Sequence, residues 1–370
     1  MSALRVDGAA VVYRLYDVGY EIALDRALDL LAASAPERVR PVRGEAQALQ
    51  IRNPPVTVIL GHETVTVGDA ARPVELSARI FDFGVVSLRA RVDLPAEMPW
   101  DAFTAFGPAL ETAPALAASF AQHLRLLTER IAPAVERPAL APQTEDYVVY
   151  RLSRVLDAEG RPVAPSALRD VDVVPLLLNE TRPLSEAARR ELLPHRFSYY
   201  EDDLAILSWD NALVVEPRAH DTDVQFILEF ANAQLLELRY YDALLDAELP
   251  RMYDRIAALR GSGRSMLRNR YAGLLAELQT QVADSTETVE RAESALKVTD
   301  DVYLARVYLA ALEIFRARAW RAGIDHKLAI VRETYAMLNG EAQAARAEAL
   351  ELAIVLLIVF EIVMAFFRPH

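Results

Sequence analysis

The sequence predicts an α+β protein, with an antiparallel-sheet head in two related halves, then long α-helices, then an apolar C-terminal helix. Three observations carry this. Up to about residue 218 short β-rich runs are divided by turn signals, from His220 the apolar period changes to 3.6, and Leu350 to Phe367 is the most apolar stretch of the chain. The divisions are 1–140 and 141–218 for the two α+β halves, 219–340 for a coiled-coil-like stalk and 341–370 for an anchor helix.

In the first half, Ala9 to Tyr16 reads as a strand and Ile22 to Ala33 as an amphipathic helix closed by Pro36 and Pro41. Strands follow at Val56–Leu60 and Thr64–Val67 around a Gly61-His62-Glu63 turn, then at Val74–Phe83 and Val85–Val92 joined at Gly84. A helical pattern from Trp100 to Ile131 is broken by Pro108 and Pro114, and Pro133 to Pro142 reads as a linker. After it, Tyr147-Val-Val-Tyr-Arg-Leu152 repeats Val11-Val-Tyr-Arg-Leu15, which predicts a duplicated half. A short helix near Ser185–Leu193 and strands at Arg196–Tyr200, Leu204–Trp209 and Ala212–Val215 complete it, with a hairpin corner at Trp209-Asp-Asn211.

Asp221 or Thr222 caps a helix with one apolar stripe, Val224, Ile227, Ala231, Leu235, Leu238, Tyr241, Leu245, Leu249, Met252 and Ile256. Pro250 should kink or break it, and Gly261-Ser-Gly263 ends it. A second helix is expected from Ser265 to Leu296 and a third from Asp300 to Leu338, stopped by Asn339-Gly340. Along the third, Leu309, Leu312, Trp320, Ile324, Leu328, Val331, Tyr335 and Leu338 should be buried.

Composition narrows the function classes. A chain of 370 residues, 53% hydrophobic, buries a large core, while a net charge of −13 without a basic block argues against direct nucleic-acid binding. With no cysteine there is no disulfide framework, thiolate zinc site or thiol nucleophile. The first residues show no basic stretch followed by an apolar one, so no secretory signal is expected. The six histidines are scattered, and His220-Asp221-Thr222-Asp223 reads as a helix N-terminus before it reads as a metal site. Gly261-Ser-Gly-Arg264 lacks the lysine of a phosphate loop. No catalytic, metal or cofactor residues are assigned. Glu229, Glu237, Arg239, Tyr240 and Asp242 read as a solvated or interhelical salt-bridge face, within which Arg239, Tyr240 and Asp242 are the candidate interaction site.

Three stretches resemble the required-for-meiotic-nuclear-division family: Phe81-Asp-Phe-Gly-Val-Val86, Ala231-Asn-Ala-Gln-Leu-Leu-Glu-Leu-Arg-Tyr-Tyr-Asp242 and Leu350-Glu-Leu-Ala-Ile-Val-Leu-Leu-Ile-Val-Phe-Glu-Ile-Val363. Leu235 stands where that family has Ser, and Leu352 where it has Trp. The resemblance implies an α+β head, a helical stalk and a C-terminal membrane segment, with eukaryotic members linked to the mitochondrial inner membrane and its translation system. It carries over no catalytic residue.

The expectation is therefore a non-enzymatic, membrane-tethered scaffold that forms homo-oligomers through its helices and presents the head to a protein partner. The alternative is an enzymatic or ligand-binding head with its site between the two halves. The anchor residues are Leu352, Ile354, Leu356, Ile358, Phe360, Glu361, Ile362, Met364 and Phe367, in a single C-terminal span with the body in the cytoplasm (at the cytoplasmic membrane if the protein is bacterial). The stretch from Leu352 covers about 24 Å, against a hydrocarbon core of about 30 Å. A second reading of the tail folds it back at Asn339-Gly340 as a hairpin, with Glu351 near Lys327 or Leu328 and Glu361 near Arg316 or Arg318.

Overall fold

The computed structural model describes residues 4–34, 37–38, 49–51, 53–165, 168, 171–180, 182–217, 223–261, 296–298 and 302–366. The expected helix from Ser265, apart from its end at Leu296, the cap at Asp221 or Thr222, His220 and Phe367 all lie outside them. Two compact units are formed, one from Met1–Tyr240 with Thr288–Ala319, the other from Tyr241–Glu287 with Trp320–His370.

In chain order the first unit contains β1 (Arg5–Asp17), β2 (Gly19–Ile22), α1 (Leu24–Leu31), β3 (Glu37–Arg38), β4 (Leu49–Ile51), β5 (Val56–Val67), β6 (Ala70–Ile80), β7 (Val85–Asp93) and β8 (Met98–Pro99). Then come α2 (Trp100–Glu111), α3 (Pro114–Ile131), β9 (Val135–Pro138), β10 (Thr144–Leu156), α4 (Val174–Leu177), α5 (Glu186–Leu192), β11 (Arg196–Phe197), β12 (Leu204–Leu207) and β13 (Asn211–Val215). The remaining elements are α6 (Asp223–Gly261), β14 (Leu296–Val298), α7 (Val302–Ile314) and α8 (Ala317–Phe366).

A ten-stranded sheet in the order β11-β12-β13-β10-β1-β7-β6-β5-β3, with β8 beside β1, forms the first unit. Its pairings are antiparallel except for β10 with β13, so the α+β class with an antiparallel-rich sheet holds. The sheet order is palindromic about the β1–β10 seam, yet the repeated motif is not structurally equivalent in the two strands. Val12, on β1, and Tyr150 and Leu152, on β10, join the apolar core with α1, α2 and α3, whereas their repeat partners Val149, Tyr13 and Leu15 lie on the opposite face. A register offset of one residue inverts every side chain of a strand, and that offset undoes the duplication. The parallel β10–β13 pair, set against the antiparallel β1–β7 pair, breaks it a second time.

Other local expectations are corrected by the sheet. The register shifts between Ile59 and Gly61, leaving Leu60 as the bulged residue, so β5 runs through the predicted turn and the chain reverses at Gly68, where φ is 59°. The Pro133–Pro142 linker yields β9, which pairs with β2. Leu296 is not helical but begins β14, paired with β4. The helical stretch is divided at Thr112 and Ala113, with Pro114 at the first turn of α3, whereas α2 runs on through Pro108 to Glu111.

The stripe predicted for α6 is buried from Val224 to Leu245 and at Met252 and Ile256, and the helix continues through Pro250. The third helix is two. Phe315 and Arg316, the latter at φ 52°, separate α7 from α8. Of the residues expected to be buried there, Ile324, Leu328, Val331 and Leu338 are, while Leu309 is 57% exposed. Asn339 and Gly340 do not stop α8, which runs unbroken to Phe366, so the hairpin reading of the tail is excluded. Every described side chain from Leu350 to Ile362 is exposed. Among the described residues no helix is long and apolar enough to cross a membrane.

A β-carbon at Gly340 would meet nothing within 4 Å. Because Ala is the better helix former, Gly340→Ala should stabilise the protein by about 0.5–1 kcal/mol in denaturant unfolding. A left-handed stop at this position would instead make the substitution destabilising.

Candidate functional site

The two faces of the sheet are chemically different. One is apolar and covered by α1, α2 and α3. On the other, alternate residues place Arg79, Ser87 and Glu145 in one row with Leu15, and Arg89, Tyr13 and Tyr147 in the next. The first part of α6 meets this polar face. Every side chain from Val224 to Leu238 is buried, so Glu229 and Glu237 belong to the interior: the solvated reading of this face does not hold for them, and Glu229 forms a salt bridge to a strand where one to a helix was expected.

Aromatic packing and one ion pair seat the helix. Phe81 and Phe83 stack with centroids 5.3 Å apart, and Phe230 of α6 meets both edge-on at 5.8 and 5.9 Å. Gly84 follows them because a β-carbon there would fall 1.8 Å from the Gly19 carbonyl oxygen, with φ at 94°. The Phe81–Val86 motif is thus a packing corner. Next to it the buried Arg79 pairs with Glu229 and holds its guanidinium 5.1 Å from the Phe226 ring.

At the end of the β1–β10 seam a second group collects. Leu15 pairs with Glu145, and Asp17, two residues further on, lies on the same face. Glu145 accepts from Arg239 of α6, and Asp17 accepts from the Gly19 amide at 3.2 Å. Burial pushes the Asp17 carboxyl up to about 7 against the Gly19 amide, which favours the charged form. Burial likewise raises Glu145 to about 7, opposed by Arg239 and reinforced by Asp146 and Asp210. Tyr240, the next residue of α6, is raised by burial and by the charges of Asp17 and Glu237. Two carboxyls titrating near neutrality beside a phenol and a guanidinium can hold and exchange a proton at physiological pH. The same groups also act as polar glue between helix and sheet.

Of the three interaction residues expected from the sequence, Arg239 and Tyr240 meet at this cluster. Asp242 does not: in the second unit it accepts from Lys327 at 2.7 Å, and Asp246 shares that lysine at 2.6 Å. Burial would lower Lys327, but the two carboxylates outweigh it and raise it. Asp17 and Glu145 were missed because each lies beyond one end of the repeated strand motif, and only the pairing of Leu15 with Glu145 brings them to one seam.

Another trio has the residue types of a nucleophilic site without its geometry. Ser119 and His123, one turn apart on α3, both bond Glu63 of β5, at 2.6 and 2.7 Å. Since serine and imidazole each engage the carboxylate, the hydroxyl has no base to activate it, and the trio clasps α3 to the sheet. These bonds, the serine's first, hold Glu63 below its ordinary value. Among the described residues no group of His, Cys, Asp and Glu is arranged to hold a metal ion.

A family profile described as uncharacterized protein MJ0711, N-terminal domain, matches residues 7–222, which takes in the sheet and stops at the start of α6. The uncharacterized protein MJ0711 of Methanocaldococcus jannaschii is 25% identical over 221 residues, covering 60% of this chain and 66% of that one. No solved structure matches.

The raised carboxyls give the stability a pH dependence. The folded state keeps their protons to about pH 7, whereas the unfolded chain releases them near the ordinary values of 3.8 and 4.5. Each therefore favours folding most at acid pH and costs stability as pH rises through that window. Glu63 acts in the other sense, stabilising above its ordinary value of 4.5 and losing that contribution as pH falls. Denaturant midpoints measured between about pH 5 and about pH 8 should decline with pH, and Asp17→Asn should flatten the decline. Equal slopes in the two proteins would refute the assignment.

Proposed function

The chain belongs to the family described as uncharacterized protein MJ0711, N-terminal domain, and we propose that it is a non-enzymatic tethering and assembly protein. One observation carries the proposal. From Leu350 to Met364, eleven large apolar residues stand exposed on α8 with only Glu351 and Glu361 as charged interruptions. Covering surface of that size is worth on the order of 10 kcal/mol, so a partner for it is expected.

An apolar surface that runs round the whole helix suits lipid or enclosing helices better than a membrane surface, where one polar face is needed. The described run is about 22 Å long, short of the hydrocarbon core of about 30 Å. In attachment to a bilayer, Glu361 would turn toward the helix of a second copy, which keeps its carboxyl out of the hydrocarbon. The head would then be held at the membrane and offered to a protein partner. Kinship with the required-for-meiotic-nuclear-division family is inferred from the same apolar helix and from the Phe81–Val86 corner.

A second reading has one observation in its favour: Asp17 and Glu145 titrate near neutrality where the two halves meet, as a head with a ligand or catalytic site would require. Membrane extraction with alkaline carbonate tests the first. The full chain should remain with the membranes and a chain truncated after Gly340 should be released. A full chain that is released, or that is soluble without detergent, removes the tether.

A further inference from the structure

An aromatic surface lies at the β11 edge of the sheet, away from the carboxyl cluster. Tyr199 and Tyr200, in the loop between β11 and β12, are 61% and 53% exposed. Their rings meet at 90° with centroids 4.8 Å apart, and Tyr199 also lies against Tyr303 of α7 at 5.5 Å and 50°. Next to them Arg306 covers the Phe197 ring at 5.6 Å, and Val302, one turn earlier on α7, is exposed.

Single exposed tyrosines are ordinary, but these are held in place. The Tyr199 amide donates to the buried Asp203 carboxylate at 2.7 Å, and the Ser198 hydroxyl donates to the Tyr200 carbonyl at 2.8 Å. The backbone that carries the rings is thereby ordered, which lowers the entropy cost of binding. Tyr199 and Tyr200, at right angles and each more than half exposed, offer a ligand apolar ring surface in two orientations.

The rings and their flanks define the ligand. A polyproline II helix presents flat apolar rings at regular intervals, and its prolines bring no N–H group that must be satisfied. Glu201 and Asp202, both exposed, border the tyrosines and attract a basic side chain. The same two acids, with a net charge of −13, repel a nucleic acid that would otherwise stack on the rings. We propose that Tyr199, Tyr200 and Tyr303 form a docking site for a proline-rich segment of a partner protein, with Glu201 and Asp202 receiving an arginine or lysine beside the prolines.

This deepens the assembly reading by naming the chemistry of the head's partner, and rests on it only for the existence of that partner. Fluorescence anisotropy of the full chain, in detergent if required, would follow a labelled peptide of about ten residues, prolines ending in two arginines. Binding should saturate, weaken about tenfold or more with Tyr199→Ala or Tyr200→Ala, and weaken several-fold when glutamates replace the arginines. Tyr199→Phe, which keeps the ring, should bind within about threefold of the unaltered chain. Should Tyr199→Ala fail to fold, Glu201→Lys reads the charge contact on the surface alone and should also weaken binding. Equal binding of a Gly-Ser peptide, insensitivity to both tyrosine substitutions, stronger binding of a single-stranded oligonucleotide, or no saturation by about 1 mM would each overturn the site. Carbonate extraction is indifferent to these outcomes, so loss of the tether and loss of the docking site are separately visible.

Discussion

The β1–β10 pairing is the constraint on which the head depends. It joins residues 5–16 to residues 144–156 in antiparallel register and so brings the start of the chain to its middle. Everything else in the sheet is added outward from this seam, β7, β6 and β5 on one side and β13, β12 and β11 on the other. Tyr147 shows how firmly the seam is anchored: its hydroxyl, buried, donates to the carbonyls of Ser208 and Asn211 at 3.2 and 3.1 Å. Burial and the nearby Asp210 push its ionisation far above the ordinary range, so it remains a donor at any physiological pH.

With the seam set, strand alternation gives the sheet two unlike faces. The apolar one can be covered by any helices of suitable shape. The polar one cannot, because Arg79, Glu145 and their neighbours leave water only if the covering element brings matching groups. The first part of α6 does so, with Glu229 for Arg79 and Arg239 for Glu145. Such pairs add little net stability over apolar packing, but a mismatched helix or a slipped register would strand a buried charge at a cost of several kcal/mol. Fixing one placement of α6 is what this chemistry achieves, and it leaves Asp17 and Glu145 poised near neutrality as a consequence.

The second unit follows a simpler rule. Lys327, shared between Asp242 and Asp246, accompanies burial of Ile324, Leu328, Val331 and Leu338 on α8. Beyond Leu338 no described side chain is buried while the helix continues, and the stretch from Leu350 is more apolar than what precedes it. The exposed apolar surface of that helix is the physical ground of the tethering proposal.

The α+β class, the division of the helical stretch at Pro114 and the buried stripe of α6 were all legible in the sequence, because each depends on residues close together in the chain. So was the apolar tail. What the sequence could not decide was set by pairing across more than a hundred residues. The Val-Tyr-Arg-Leu repeat suggested equivalent strands, and the one-residue register offset put the matching side chains on opposite faces. Glu229 and Glu237 read as a solvated or interhelical salt-bridge face because charge pattern registers polarity and not what stands opposite, here Arg79 on a strand 150 residues earlier in the case of Glu229. Asn339-Gly340 carried a stop signal, yet a helix ends at such a pair only if the next residues gain more by turning away, and in α8 they continue. Asp17 and Glu145 became a site only through strand register, for a carboxyl's titration is governed by its burial and neighbours, which the order of residues alone does not contain.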